Sequence, residues 1–233
     1  MKIFTFDQVT STQDLAHNYL KQHLQKAAFV ANSQTNGYGK QGRNFYAPAN
    51  TGVYFSIAVS NFKLNQEKSD LLTPAIATAL VNTLNVFFPL ITLQLKWVND
   101  IYLNNKKVGG ILTEFSSNGL VIGVGINIST QSFPEELHTK ATSITKEEFN
   151  RMELIDSLIE AVNNALITYQ SGEFLPEYRH LSCTLNNNVV LKIGKKEIHG
   201  LAININDKGE LVVQSNNEIH SYSSGEVIKV ESK

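Results

Sequence analysis

A glycine-rich segment near the N-terminus constrains the fold more than any other part of this sequence. Residues 35–48 read TNGYGKQGRNFYAP, and the three glycines have the G-x-G-x-x-G spacing of a dinucleotide-binding loop. In that fold a helix begins at the third glycine, so that its N-terminus meets the pyrophosphate. Here Pro48 and Gly52 oppose a helix, and the segment that follows, TGVYFSIAVS, has the composition of a strand. The sequence therefore predicts a strand–loop–strand hairpin instead of a dinucleotide site.

The side chains of this loop leave two interpretations open. Its glycines let the backbone approach a ligand closely, while Lys40 and Arg43 supply positive charge and Tyr38 supplies an aromatic face. Such a loop suits a carboxylate or a phosphate. A surface hairpin with solvated charges has the same composition, so the loop alone does not decide between the two.

The rest of the chain alternates between helical and strand patterns. Three segments read as helices, namely one from a cap at Thr10 or Ser11 to Gln25, one over residues 69–88 and one over residues 152–170. Six segments read as strands: residues 1–9, 27–34, 51–60, 92–98, 109–116 and 120–128. Past Cys183, five short strands joined by tight turns predict a small barrel. We therefore expect an α+β fold with a mixed-sheet domain over residues 1–182 and a β-barrel domain over residues 183–233.

Composition excludes several classes of function. The 233 residues carry a formal net charge of -1 with no long run of either sign, unlike a general nucleic-acid-binding protein. The longest apolar stretches fall short of the roughly 20 residues that a membrane span needs, and the N-terminus turns polar too soon for a signal peptide. Cys183 is the only cysteine, which excludes an internal disulfide and a zinc-finger framework. We therefore expect a cytoplasmic protein.

A second candidate site lies in residues 96–115, KWVNDIYLNNKKVGGILTEF. Asn99 and Asp100 follow Trp97, and Lys107 precedes a glycine pair that opens an apolar strand. If they face one cleft across a hairpin, Asp100 is suited to a hydrated Mg²⁺ and Lys107 to an anionic group. The alternative makes Asn99 and Asp100 turn residues and Trp97 a core residue.

A third candidate is the apolar strand VIGVGINI, residues 121–128, which carries Asn127 near its end. A polar side chain at the end of such a strand needs a partner. A backbone turn and a ligand are both open as that partner.

Taken together and in order, these motifs resemble those of the biotin–protein ligases. Residues 37–43 match the family's GRGRxGR loop, residues 96–100 its KWPND block and residues 107–114 its K-x-x-GIL-x-E block. Residues 123–127 match its GxGIN strand, residues 141–144 its ATSL segment and residues 10–13 its D-S-T-N opening. Residues 223–227, SSGEV, resemble the family's SH3-like C-terminal domain. A winged helix-turn-helix like that of some members does not precede these motifs. The chain therefore resembles the monofunctional type without a DNA-binding domain.

The resemblance implies a catalytic domain of the biotin/lipoate ligase type and a two-step reaction. In the first step the biotin carboxylate attacks the α-phosphate of ATP, giving biotinyl-5′-AMP and pyrophosphate. In the second step a lysine of the biotin carboxyl carrier domain of a carboxylase displaces AMP. The resemblance thus implies ATP, Mg²⁺ and biotin as ligands and the carrier domain as partner, with no specific nucleic acid and no membrane, and it leaves a homodimer open.

The resemblance also implies roles for individual residues. The implied catalytic residues are Lys107, Lys40 and Asp100, with Asp100 at the metal. The implied biotin-binding residues are Ser11, Thr12, Gln13, Gln34, Tyr38, Gly39, Lys40, Lys107, Gly110, Ile111 and Leu112, the first four of them at the ureido head. The residues implied for ATP and adenylate are Arg43, Asn99 and Asn127.

The match departs from the family pattern in the glycine loop. Tyr38 and Lys40 stand where the family has arginines, and lysine cannot form the bidentate fork that arginine offers. We therefore expect weaker retention of the intermediate. A lipoate–protein ligase and a non-catalytic biotin or adenylate sensor are the alternatives. The KWVND, GGIL and GEV motifs argue against the first, and the presence of Asp100 with Lys107 argues against the second.

Overall fold

Two β-sheets organise the part of the chain that the structure describes, which is residues 1–147, 149–216 and 218–231 of a computed structural model. The larger sheet contains β1 (Lys2–Val9), β2 (Ala27–Gln34), β3 (Gly52–Ser60), β4 (Gln94–Lys96), β5 (Asp100–Leu103), β6 (Lys106–Ser116) and β7 (Gly119–Asn127). Its spatial order is β1-β2-β3-β7-β6-β5-β4. The β1–β2 pair is parallel and the other pairs are antiparallel, so the predicted mixed sheet is confirmed.

Helices cover both faces of this sheet. They are α1 (Thr12–Leu20), α2 (Leu72–Phe87), α3 (Arg151–Thr168) and α4 (Leu175–His180). Because successive strand residues point to opposite faces, Phe55 and Ile57 join the main core with α2 and α3, whereas Ala58 packs with Ala16 of α1. The face that α1 covers only in part is the one that carries the site described below.

The first predicted helix is five residues too long. Ser11 caps it as predicted, since its side chain accepts from the backbone N–H groups of Gln13 and Asp14. The helix ends at Leu20, however, and Leu24, the next apolar residue at helical spacing, is 78% exposed. With no inner surface to cover, the chain turns back to enter β2 alongside β1.

The sequence patterns did not predict β5 or α4, and they predicted one strand that is longer than the observed one. Strand β5 lies in a segment rich in Asn and Asp that was interpreted as a connection, and α4 is only one and a half turns long. The strand predicted over residues 92–98 spans only β4. The β2–β3 hairpin around the glycine loop is confirmed by five antiparallel pairs.

The C-terminal strands form an open sheet. The five predicted strands are confirmed as β8 (Asn188–Ile193), β9 (Lys196–Ile205), β10 (Leu211–Ser215), β11 (Glu218–Tyr222) and β12 (Glu226–Glu231). Their order is β11-β10-β9-β8-β12, so that β11 and β12 are the edge strands among the described residues. The predicted small SH3-like domain is confirmed as a fold, and its barrel is not closed, because β11 and β12 do not pair with each other among the described residues.

The two sheets share one hydrophobic core. Leu191 and Leu211 of the small sheet belong to the same cluster as Leu95 and Trp97. Trp97 Nε1 also donates to the carbonyl of Gly209 at 3.1 Å. Folding of residues 183–233 as an independent domain stays a prediction, and residues 232–233 lie outside the described residues.

Helix α2 with the turn before it, Gln66–Phe87, is long and apolar enough to resemble a membrane span. It has 22 residues, and its most apolar 18-residue window has a mean hydropathy of 1.2 and is 56% buried inside the protein. From the sequence, every apolar stretch was expected to be shorter than a membrane span. The hydropathy follows from the position of α2, whose buried residues include Ile76, Leu80 and Leu84 in the main core.

Candidate active site

A cleft of about 500 Å³ opens on the face of the large sheet that α1 covers only in part. The sequence-predicted residues that line it are Ser11, Thr12, Gln13, Gln34, Tyr38, Gly39, Lys40, Arg43, Asn99, Asp100, Lys107, Gly110, Ile111 and Leu112. These residues come from α1, the glycine loop and the β5–β6 hairpin. Ile111 borders the cleft although its side chain belongs to the main core. The cleft therefore brings together the first two candidate sites, which are the glycine loop and residues 96–115.

Glycines of β7 form the floor of the cleft. A Cβ atom on Gly123 would lie 2.5 Å from Gln13 Oε1, and one on Gly125 would lie 2.7 Å from the ring of Phe45. A Cβ atom does not approach a neighbour this closely, so a larger residue at either position would displace Gln13 or Phe45. The glycines of the VIGVGINI strand thus make room for the cleft and for the side chains that shape it.

One end of the cleft is polar and buried. Ser11, Thr12 and Gln13 are between 1% and 3% exposed. The backbone N–H of Thr12 donates to Gln34 Oε1 at 2.8 Å, and Thr12 Oγ1 lies 2.9 Å from Ser56 Oγ. Ser56 Oγ in turn donates to Gln13 Oε1 at 3.0 Å. Because their hydrogen bonds to one another fix these groups, they form a preorganised surface for a small polar ring.

The other end of the cleft is rich in cations. Lys107 Nζ lies 2.6 Å from Asp100 Oδ1, across the β5–β6 hairpin. Lys96 Nζ donates to Tyr102 Oη at 3.3 Å. Burial lowers the pKa of Lys96, and the Asp100 carboxylate opposes that shift. Together with Lys40, these groups suit a ligand with several negative charges.

The glycine loop reaches across to the C-terminal sheet. Its own backbone is closed by a hydrogen bond from Gly39 N to Arg43 O at 2.8 Å. Lys40 Nζ donates to the carbonyl of Gly225 at 3.1 Å, and the Arg43 guanidinium pairs with the Glu226 carboxylate. Burial and then the Arg43 charge lower the pKa of Lys40, whereas Glu226 acts in the opposite direction. The cations of this loop therefore have partners in the small sheet, whereas the Arg43 side chain is 54% exposed, so the role of the loop at a ligand stays a prediction.

The structure separates Asn127 from the other predicted site residues. It lies at the end of β7, is 4% exposed and does not line the cleft. Its side-chain Oδ1 has no hydrogen-bond partner among the described residues. An orphaned buried acceptor is compatible with a ligand, so the adenylate role of Asn127 stays a prediction.

Asn99 and Trp97 bear out parts of the alternative interpretation. Asn99 Nδ2 donates to the carbonyl of Ile111 at 2.9 Å, which holds the start of β5 against β6. Trp97 is 3% exposed and belongs to the core, as the alternative predicted, although it also borders the cleft. Asp100 is not a plain turn residue, because it begins β5 and pairs with Lys107.

Several residues of the cleft were missed from sequence. They are Asn44, Phe45, Phe55, Ser56, Lys96, Trp97, Tyr102, Gly123, Val124, Gly125, Leu137, Lys140, Ala141, Gly225, Glu226, Val227 and Ile228. Lys96 carried a usable signal, since it stands directly before Trp97 in the KWVND block. Glu226 stands in the SSGEV segment, but that motif did not indicate its place in the cleft, which depends on how the small sheet packs against the large one.

Two family matches together span most of the chain. Residues 5–130 match the Biotin/lipoate A/B protein ligase family, and residues 184–230 match the Biotin protein ligase C terminal domain. The chain belongs to the biotin/lipoate A/B protein ligase family. Residues 131–183, which include α3 and α4, lie between the two matches.

Two relatives of known name are similar to most of this chain. The chain is 27% identical to the bifunctional ligase/repressor BirA of Bacillus spizizenii, over 95% of this chain and 72% of the relative. It is also 27% identical to the biotin–[acetyl-CoA-carboxylase] ligase of Mycobacterium tuberculosis, over 85% of this chain and 77% of the relative.

A solved structure of a biotin protein ligase is also similar to this chain. The biotin protein ligase of Aquifex aeolicus in complex with biotin and ATP superimposes with a TM-score of 0.83 at 27% identity, over 96% of each chain. The recognition of this chain as a biotin protein ligase, its fold class and its enzyme class are thereby confirmed. The roles of its individual residues stay predictions.

Proposed function

We propose that this protein activates biotin with ATP as biotinyl-5′-AMP and transfers the biotinyl group to a lysine of a biotin carboxyl carrier domain. The observation that carries the proposal is a single cleft with a buried hydrogen-bonding end and a cationic end. Biotin has a neutral ureido ring at one end and a carboxylate at the other, which matches this polarity. ATP brings further negative charge to the same cationic end.

The buried end is suited to the ureido ring. Thr12, Gln13 and Gln34 have amide, hydroxyl and backbone groups whose geometry is already fixed by mutual hydrogen bonds. Such a site rejects molecules that leave its buried polar groups unpaired. The walls formed by Gly110 and Leu112 allow the apolar part of biotin to lie between the two ends.

The cationic end is suited to the first reaction step. As the biotin carboxylate attacks the α-phosphate, negative charge develops on the phosphoryl oxygens, and pyrophosphate leaves. Lys107 is positioned by its ion pair with Asp100, and Lys40 and Lys96 border the same space. Cations that are fixed in place before the reaction stabilise such charge without a reorganisation cost. In the second step the same cations stabilise AMP as the leaving group.

Mg²⁺ fits this site as an ion that enters with the nucleotide. Among the described residues, no group of three or more His, Cys, Asp or Glu side chains could form a protein cage for a metal. Mg²⁺ in nucleotide sites uses one or two carboxylates together with phosphate oxygens and water. Asp100 is the residue that would hold it, and the ion would neutralise charge on the triphosphate.

A biotin-dependent assay tests the proposal directly. We expect the purified protein to release pyrophosphate from ATP only with biotin present, and to label a purified carrier domain in a second step. Lipoate in place of biotin is the control, and the biotin-specific C-terminal match favours no reaction with it. Lipoate-dependent release would contradict biotin specificity. Biotin binding without pyrophosphate release would instead favour the non-catalytic sensor.

A cytoplasmic location is part of the same proposal. The reaction consumes ATP, and the single thiol, Cys183, is partly buried and forms no disulfide. Fractionation of cells that produce the tagged protein would test this, and recovery outside the soluble intracellular fraction would contradict it.

A further inference from the structure

Glu114 and His17 form a polar pair beside the buried end of the cleft, and neither belongs to the residues assigned above. We propose that Glu114, held by His17, is a positioning residue that fixes the side-chain amide of Gln13 for recognition of the ureido ring. This inference rests on the proposed biotin-binding function. It adds two residues that act on the ligand through Gln13.

The fold places these three side chains on one face of the sheet. Glu114 of β6 pairs with Val121 of β7, whose side chain packs under α1. Gln13 and His17 stand four residues apart on α1 and so lie on the same side of that helix. The sequence hides this arrangement, because Gln13 and Glu114 are 101 positions apart.

Both contacts of Glu114 converge on one carboxylate oxygen. Gln13 Nε2 donates to Glu114 Oε2 at 2.8 Å, and His17 Nε2 lies 2.9 Å from the same oxygen. The side chain of His17 is 28% exposed and that of Glu114 is 36% exposed. A pair this accessible adds little to folding stability, so its main effect is to hold Glu114 against Gln13.

Glu114 and Ser56 together determine which way the Gln13 amide faces. A carboxylate accepts hydrogen bonds, so it selects the NH₂ end of the amide. Ser56 Oγ donates to the opposite end, Gln13 Oε1, at 3.0 Å. The flipped amide would place two acceptors against each other at Glu114. Gly123 leaves room for the Gln13 amide, since a Cβ atom there would lie 2.5 Å from Oε1.

The fixed orientation presents a donor to the ligand. The NH₂ group of Gln13 has two hydrogens, and Glu114 takes one of them. Among the described residues the other hydrogen has no acceptor, and the ureido carbonyl oxygen of biotin is an acceptor that can take it. Without Glu114, the amide loses the contact that selects this orientation, and biotin affinity should fall while the ATP end is unaffected.

Calorimetric titration of biotin into the full chain tests the inference. We expect Glu114→Ala to raise the Kd for biotin about tenfold or more, because a charge-assisted hydrogen bond to Gln13 is lost. Glu114→Gln keeps an acceptor oxygen and should recover most of the affinity. His17→Ala should give a smaller increase than Glu114→Ala. The matched control is Glu160→Ala on the exposed face of α3, which should bind as the wild type does.

Two further readouts separate positioning from a general structural effect. In Glu114→Ala, KM for biotin should rise, whereas KM for ATP and kcat at saturating biotin should stay within about twofold of wild type. In a Gln13→Ala background, removing Glu114 should change the biotin Kd no further. An equal loss in both backgrounds, or an equal rise in both KM values, would overturn the inference.

The outcomes also separate this inference from the proposed function. Wild-type protein that binds no biotin would overturn the function and the inference together. Wild-type binding with an unchanged Kd in Glu114→Ala would overturn the inference alone. If Glu114→Ala failed to fold in a thermal melt, His17→Ala in the wild-type and Gln13→Ala backgrounds would carry the same test, and unchanged affinity in His17→Ala would overturn the inference.

Discussion

Replacement of Gly123 by alanine should damage the buried end of the cleft without disturbing the cationic end. The added Cβ would lie 2.5 Å from Gln13 Oε1, whereas ordinary contacts begin at 3.4 Å, so Gln13 must retreat by the difference of 0.9 Å. Such a shift breaks its 3.0 Å hydrogen bond from Ser56 and moves it away from the ligand. The loss of one hydrogen bond to biotin is worth about 1–2 kcal/mol, which corresponds to an increase in Kd of about 5- to 30-fold.

The assay is calorimetric titration of biotin and, separately, of ATP into Gly123→Ala. The Kd for ATP should stay close to the wild-type value, because Lys107 and Lys40 lie at the other end of the cleft. The matched control combines Gly123→Ala with Gln13→Ala, which removes the side chain that the new methyl group would meet. This double variant should bind biotin no more weakly than Gln13→Ala alone. A Kd for biotin within about twofold of wild type in Gly123→Ala would refute the reasoning from contact distance.

Three further perturbations probe the cationic end and the contact between the sheets. Lys107→Met removes the cation that Asp100 holds at 2.6 Å, so pyrophosphate release should fall about 10²–10³-fold, as on loss of one donor at a developing anion. Lys40→Arg offers the acyl phosphate a bidentate partner, so preformed biotinyl-5′-AMP should dissociate more slowly, whereas Lys40→Gly should release it faster. Trp97→Phe leaves the Gly209 carbonyl without its 3.1 Å donor, so the free energy of unfolding in urea should fall by about 1–3 kcal/mol.

A specific experimental result would contradict each of these three predictions. Pyrophosphate release within about threefold of wild type would remove Lys107 from its catalytic role. Equal dissociation rates for the wild type and both Lys40 variants would show that this side chain does not hold the intermediate. Unchanged stability of Trp97→Phe would show that the hydrogen bond to Gly209 adds nothing to the packing of the indole ring.

Local sequence patterns were sufficient for much of the fold. Pro48 and Gly52 exclude a helix after the glycine loop because of their backbone preferences, whatever the rest of the chain does. Ser11 caps α1 through its own neighbours, and the five C-terminal strands follow from short apolar segments between turns. The ordered motifs were enough to recognise the family, since each motif is a run of adjacent residues. These features depend on contacts within a few positions of the chain.

Only the tertiary structure decided which distant residues share the cleft. Arg43 and Glu226 are 183 positions apart, and Gln13 and Glu114 are 101 positions apart. Their meeting depends on the order of strands in the large sheet and on how the small sheet packs against it. The position of β12 at the edge of the small sheet and the burial of Asn127 also depend on the tertiary packing of the strands. Periodicity reports which face of an element is apolar, whereas the partner of that face is determined only when the whole core has formed.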